Sequence, residues 1–231
     1  NPLPFLTGTI CAHRCQNKCS RNFYDESVHI RDTKLVAAEH GYGALMASMK
    51  PTAKLPGKKA AIIGGGPTGI AAAYFLARGG VETTIFEREA KLGGVPRYVI
   101  PAFRISDEAL DKDVALMERL GVEVKCGAPA PSVAELKKMG YTHILLATGA
   151  WQAGELGIPG NVRGVIAWMK EMKQQVKPCL EGHVVVVGAG NTAMDAARVA
   201  KRMGAASSTI VYRRTKKEMP ADEHELKLAI D

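Results

Sequence analysis

The feature that most constrains this chain is a pattern that occurs twice. Ala60-Ala61-Ile62-Ile63 runs into Gly64-Gly65-Gly66-Pro67-Thr68-Gly69, and Val184-Val185-Val186-Val187 runs into Gly188-Ala189-Gly190-Asn191-Thr192-Ala193. Each is a short apolar run, then a glycine-rich turn, then a helix-like stretch. That order opens a βαβ unit, whose crossover is right-handed and whose sheet is parallel. The first glycine of such a turn permits a tight bend. The second lets the backbone approach a pyrophosphate, and the third brings the helix close to the sheet. The helix N-terminus then offers free amides and a positive dipole end to the phosphates. One such turn says little. Two predict two dinucleotides on one polypeptide, and the simplest reason to hold both is to pass a hydride between them.

The strand that follows each turn ends differently. After the first, Glu87 stands where a carboxylate can accept hydrogen bonds from ribose hydroxyls. After the second there is no acid: Tyr212-Arg213-Arg214 stands there, and Ala193 replaces the third glycine. Two guanidiniums in the carboxylate's place favour a 2′-phosphate, hence NADP over NAD. The alternative is a surface pair in a basic loop that also holds Lys216 and Lys217. Between the turns, Thr148-Gly149 closes a strand near the expected junction of two domains, where a cofactor contact is expected.

The rest of the chain reads as an α/β protein with two Rossmann-like units and a short, mainly helical N-terminal segment. A helix is expected over 30–49, with apolar Leu35, Val36, Ala38, Leu45 and Met46, then a Pro- and Gly-punctuated linker over 51–57. The first unit takes a strand over 58–63, a helix over 70–78 with Ala71, Ala72 and Ala73 facing the strand, and a strand over 82–86. Ser106, followed by Asp107 and Glu108, caps a helix to 120. Strands are expected over 122–125 and 142–147. Ser132 with Glu135 makes a capping box for a helix over 132–139. The second unit runs from 183 to 212 around a helix over 192–203, and a last helix covers 221–230. Three domains follow: 1–50, a partial, cysteine-bearing helical segment; 51–152, the first nucleotide-binding unit; and 153–231, a partial second one.

Hydrophobic residues make up 46% of the 231, enough for a packed core. No apolar run approaches the roughly 20 residues that span a bilayer, and 1–4 is not a signal peptide, so a cytoplasmic location is expected. The net charge of +8 is read either as a solvated surface or as attraction to cofactor phosphates or an acidic redox partner. The basic residues are spread along the chain without interleaved aromatics, which argues against nucleic acid. Of five cysteines, Cys126 and Cys179 stand alone, whereas Cys11, Cys15 and Cys19 recur at intervals of four. Soft thiolates so close together suit an iron–sulfur cluster or zinc, with free thiols as the alternative. Three are one short of a closed site, and His13 is a conceivable fourth ligand. There is no C-x-x-C pair for a redox-active disulfide.

At this point the chain resembles the small subunit of glutamate synthase and the N-terminal half of dihydropyrimidine dehydrogenase, and is still more similar to the iron–sulfur subunit of selenate reductases. The likeness rests on 1–4, the cysteine triplet, 64–69, 92–98, 100–104, 147–150, 157–160, 188–195, 211–214 and 218–221. It implies a flavin-dependent NADPH oxidoreductase that passes a hydride from NADPH to FAD and electrons onward through [4Fe–4S] clusters. Gly64, Gly66, Pro67, Thr68, Gly69 and Glu87 would hold FAD, with Gly94, Arg97, Thr148 and Gly149 along the flavin. Gly188, Gly190, Asn191, Thr192, Arg213 and Arg214 would hold NADPH, and Cys11, Cys15 and Cys19 would ligate clusters. Glu218 and Glu223 would serve at most to orient the nicotinamide side, and no acid–base catalyst is named. The implied partners are other subunits or domains of a larger reductase and a ferredoxin-like acidic electron carrier. Departures from the pattern are expected to matter. Family clusters draw on cysteines upstream of this chain, a Glu or Gln cluster ligand aligns with Lys34, and the FAD domain's return lies beyond residue 231, so the chain reads as a fragment. The alternative is a non-catalytic module that holds nucleotide and docks within a multi-subunit reductase.

Overall fold

The computed structural model describes residues 1–152, 154 and 156–230. The expected domain over 153–231 therefore has its two end residues outside the described set. The chain divides into two compact units, Asn1–Arg97 with Phe103–Gly149, and Tyr98–Ala102 with Ala150–Asp231.

The first unit opens with α1 (Pro4–Ile10), α2 (Arg14–Asn17) and α3 (Ile30–Ser48). Its sheet alternates with helices: β1 (Lys59–Ile63), α4 (Pro67–Arg78), β2 (Glu82–Glu87), α5 (Val95–Tyr98), α6 (Asp107–Glu118), β3 (Glu123–Cys126), α7 (Val133–Lys138) and β4 (His143–Leu146). The four strands lie in the order β3-β2-β1-β4, every pair parallel. Parallel strands covered by crossover helices are buried on both faces, and Ala60, Ala61 and Ile62 of β1 are accordingly lost to solvent. β4 is an outer strand of this sheet and leaves Leu145 and Leu146 exposed.

Sequence capping signals place two helices correctly. Ser106 accepts a hydrogen bond from the Ala109 amide at 3.2 Å and starts α6. Ser132 and Glu135 close the reciprocal box at α7. On α4 the expected alignment of Ala71, Ala72 and Ala73 is corrected. A helix turns 100° per residue, so three consecutive side chains cannot share a face. The buried stripe is Gly69, Ile70, Ala73, Tyr74 and Ala77.

α1 and α3 pack on each other, with Phe5 and Tyr42 edge to face at 5.4 Å. The N-terminus of α1 is capped from a distance. Asp113 of α6 accepts the amides of Phe5 (2.9 Å) and Leu6 (2.7 Å), two of the donors that a helix start leaves without partners. At the other end of α1, the Lys34 ammonium donates to the Thr7 carbonyl at 3.3 Å. A cation on the last carbonyls of a helix is favourable.

The second unit holds α8 (Val165–Gln174), β5 (His183–Val187), α9 (Asn191–Arg202), β6 (Ser207–Val211) and α10 (Glu223–Ile230). β5 and β6 are parallel. Ala189, Ala193 and Met194 form the buried centre against Val186, Ile210 and Tyr212. The segment Tyr98–Ala102 belongs to this unit, held by Lys173, which donates to the Ile100 carbonyl at 2.5 Å.

Candidate functional site

The two glycine turns are built alike, each within its own unit. In the first, Ile63 pairs with Phe86, and the Gly64 amide donates to the Phe86 carbonyl at 2.8 Å. In the second, Val187 pairs with Val211, and the Gly188 amide donates to the Val211 carbonyl at 2.9 Å. One residue further on, the Gly65 carbonyl accepts the Gly93 amide at 2.8 Å, and the Ala189 carbonyl accepts the Ala221 amide at 3.0 Å. Each turn is thus tied to the end of the next strand and to the loop beyond it.

The glycines do separate work. Gly64 has φ +109°, a region open to glycine and hard for side chains. A Cβ on Gly69 would sit 2.0 Å from the Gly64 carbonyl oxygen, so only glycine lets α4 approach this closely. At the corresponding place in the second unit Ala193 is accommodated and buried. The middle glycines face open space. A Cβ on Gly66 would meet only the Gly94 Cα, at 3.8 Å, and one on Gly190 would meet nothing within 4 Å. Open backbone beside the N-termini of α4 and α9, with Pro67, Thr68, Asn191 and Thr192 in the first turns, fits a pyrophosphate at each place.

The strand ends differ, though not as expected: the place of the Glu87 carboxylate is taken by the neutral Tyr212, and the guanidiniums of Arg213 and Arg214 come one and two residues later. Glu87 is buried; its Oε2 accepts the Gly65 amide at 2.6 Å and its Oε1 the Glu89 amide at 2.9 Å. The pairing register puts Tyr212 at the matching place in the second unit, so Glu87-Arg88-Glu89 corresponds to Tyr212-Arg213-Arg214. Arg213 and Arg214 are exposed, and neither meets a carboxylate among the described residues. Asn191 is braced: its Oδ1 accepts the Asp222 amide at 2.9 Å.

Of the four residues expected along the flavin, Arg97 takes other partners. The Arg97 guanidinium is buried; it donates to the Leu92 carbonyl and to Asp111 at 2.5 Å, and lies 3.5 Å from Asp107. It shapes the Gly93-Gly94 turn, since a Cβ on Gly93 would strike it. Gly94 keeps φ +56° against Gly66. Thr148 and Gly149 follow β4, where the Ala147 carbonyl packs on Gly64. Asp107 and Asp111, one turn apart on α6, brace Arg97; their i, i+4 spacing marks an acidic face but does not name the arginine it meets.

The cysteines do not share a helix. Cys11 caps the end of α1, Cys15 lies in α2 and Cys19 precedes a 3₁₀ turn over Ser20–Phe23. Among the described residues no three of His, Cys, Asp and Glu are grouped to hold a metal ion. The His13 ring faces the Cys11 carbonyl at 3.2 Å. Backbone hydrogen bonds from Val28 and Arg21 hold the Cys19 thiol below its usual range, which favours the thiolate that ligates metal. Burial and the neighbouring Glu87 push the Cys126 thiol up. Among the described residues no helix is long and apolar enough to cross a membrane.

The two parallel βαβ units, each with a glycine turn before a helix, define the class of nucleotide-binding α/β folds. Residues 58–230 match the family described as pyridine nucleotide-disulphide oxidoreductase, and the chain belongs to that family. It is similar to the oxidoreductase YgfK of Escherichia coli K12, 42% identical over all of this chain and 23% of that one. It is also similar to the NADPH glutamate synthase small chain of the same organism, 31% identical over 99% of this chain and 52% of that one. Thioredoxin reductase of Lactococcus lactis has the same fold, with a TM-score of 0.52 and 23% identity over 75% of this chain and 61% of that one. The chain thus spans between about a quarter and a half of these two curated relatives.

Proposed function

We propose that the chain is part of a flavin-dependent NADPH oxidoreductase. A hydride passes from NADPH to FAD, and electrons leave through [4Fe–4S] clusters to a partner subunit or an acidic carrier in the cytoplasm. The observation that carries this reading is the pair of like-braced turns with different strand ends. The Glu87 carboxylate of the first suits ribose hydroxyls, whereas Arg213 and Arg214 of the second suit a phosphate. The glutamate synthase small chain to which it is similar belongs to an NADPH enzyme, which supports the same nucleotide.

In this reading Gly64, Gly66, Pro67, Thr68, Gly69 and Glu87 hold FAD. Gly94, Thr148 and Gly149 border the flavin, and Arg97 keeps the Gly93-Gly94 turn in place. Gly188, Gly190, Asn191, Thr192, Arg213 and Arg214 hold NADPH. The bound cofactors supply the hydride chemistry, and this chain's residues supply binding and orientation. Cys11, Cys15 and Cys19 contribute cluster ligands alongside ligands from outside this sequence. Lys34, spent on Thr7, is a brace and not a ligand.

A visible spectrum of the purified chain, supplied with FAD and recorded before and after anaerobic NADPH, tests the reading. Flavin bands that bleach with NADPH are expected. Flavin bands that NADPH leaves untouched, or no retained flavin, would favour a module that docks without turnover.

A further inference from the structure

Four cations, Arg213, Arg214, Lys216 and Lys217, stand exposed in five positions after β6, and none meets a carboxylate among the described residues. Long cationic side chains on an unstructured loop would repel one another and would lose much rotamer freedom on meeting a phosphate. This loop is instead closed at both ends. Tyr212, packed in the core against Ala189, donates its hydroxyl to the Glu218 carbonyl at 3.0 Å. Glu218 Oε2 accepts both the amide and the hydroxyl of Thr215, each at 3.1 Å. The Glu218 amide returns to the Thr215 carbonyl at 3.0 Å. Beyond the loop, Ala221 donates to Ala189 in the glycine turn itself. Arg213 and Arg214 therefore sit between two fixed points registered to the turn at 188–193.

We propose that Thr215 and Glu218 are positioning residues for selection of a phosphorylated adenosine ribose: their box fixes the backbone that presents Arg213 and Arg214. The inference rests on the NADPH reading above. Its bonds to Tyr212 and Thr215 set Glu218 beside the arginines rather than at the nicotinamide side expected of it, and it is the one acid within 212–218, so its charge opposes phosphate binding while its geometry supports it. That opposition makes the two roles separable. Glutamine also closes a capping box, so Glu218→Gln keeps the geometry and removes the charge. Thr215→Val keeps the charge and breaks the geometry.

The test is calorimetric titration of the chain with NADP⁺, with NAD⁺ and with 2′,5′-ADP, thermal melts confirming that each variant is folded. Thr215→Val is expected to raise Kd for NADP⁺ and 2′,5′-ADP roughly five- to tenfold, the scale of a lost cap, and to leave NAD⁺ within about twofold. Thr215→Ser should restore the native value, and Glu218→Gln should bind NADP⁺ as well as the native chain or better. Equal weakening of both nucleotides in Thr215→Val, no change in either, or a Glu218→Gln that weakens NADP⁺ overturns the positioning role. The Arg213→Ala/Arg214→Ala variant separates the two claims. If it keeps its preference for NADP⁺, or if the native chain binds neither nucleotide, the NADPH reading itself fails. If it loses the preference while Thr215→Val does not, only the positioning role falls.

Discussion

At the scale of single residues, the glycines of the first turn make opposite predictions about stability and binding. A Cβ at Gly69 lands on the Gly64 carbonyl, whose position is fixed by the strand before it, so neither side can yield. Gly69→Ala should destabilise the first unit by about 1–3 kcal/mol or more, the range of an overpacked core. Gly66→Ala meets only the Gly94 Cα, at ordinary contact distance, so urea unfolding should stay within about 1 kcal/mol of the native chain. Retained flavin, measured as absorbance per chain after desalting, should nonetheless fall sharply, because the methyl group occupies the side the pyrophosphate would approach. If Gly66→Ala retains flavin fully, the open face is not the phosphate site. These glycines were legible in the sequence because each answers a backbone requirement at fixed spacing. The partners of Glu87 and Arg97 were not. Glu87 bonding to the Gly65 amide and Arg97 turning to Leu92 depend on side-chain rotamers and on contacts that spacing does not encode.

At the scale of elements, α1 is the most exposed to a single change. It has seven residues, too few to be stable as an isolated helix. Its cap is Asp113, more than a hundred positions away in sequence and fully buried. Burial pushes the Asp113 carboxyl up from 3.8 to about 6, against the two backbone hydrogen bonds that pull it down. A carboxyl whose folded value is raised binds its proton more readily in the folded state. Its contribution to stability is then complete below about pH 4 and is lost as pH rises through about 6. Urea midpoints at pH 4.5 and 7 should therefore fall further for the native chain than for Asp113→Asn, and equal falls would mean that Asp113 does not titrate as buried. The same distance explains why α1 escaped the sequence reading while α6 and α7 did not: their caps, Ser106 and Ser132, lie beside them in the chain. α8 escaped for a related reason. Gly164 precedes it without a capping side chain, and its packed face is two methionines, Met169 and Met172.

At the scale of the whole molecule, one design serves twice, with an acid closing one strand end and a tyrosine followed by two arginines closing the other. The duplication was legible because glycine spacing and apolar runs are local, and the matched hydrogen bonds at Gly64 and Gly188 give it a structural basis. The division of the chain was less so. The sequence marks the linker over 51–57, but 1–50 belongs with the first unit, and a five-residue segment, Tyr98–Ala102, joins the second. Lys173, which holds Ile100, carries no motif that would announce this. Among the described residues the hydrogen bonds that brace each turn come from its own unit, so substitutions at the two sites should act additively, as changes without shared partners do. Gly66→Ala is expected to leave Kd for NADP⁺ within about twofold of the native chain. Arg213→Ala/Arg214→Ala is expected to leave flavin content unchanged while NADP⁺ binding weakens at least tenfold, as loss of two charge-assisted phosphate contacts implies. Titration of each variant with NADP⁺, alongside its flavin absorbance, measures both. A tenfold loss of NADP⁺ affinity on losing flavin would instead mean that the second site is completed by the first cofactor, and the independence argued from the separate bracing would fail.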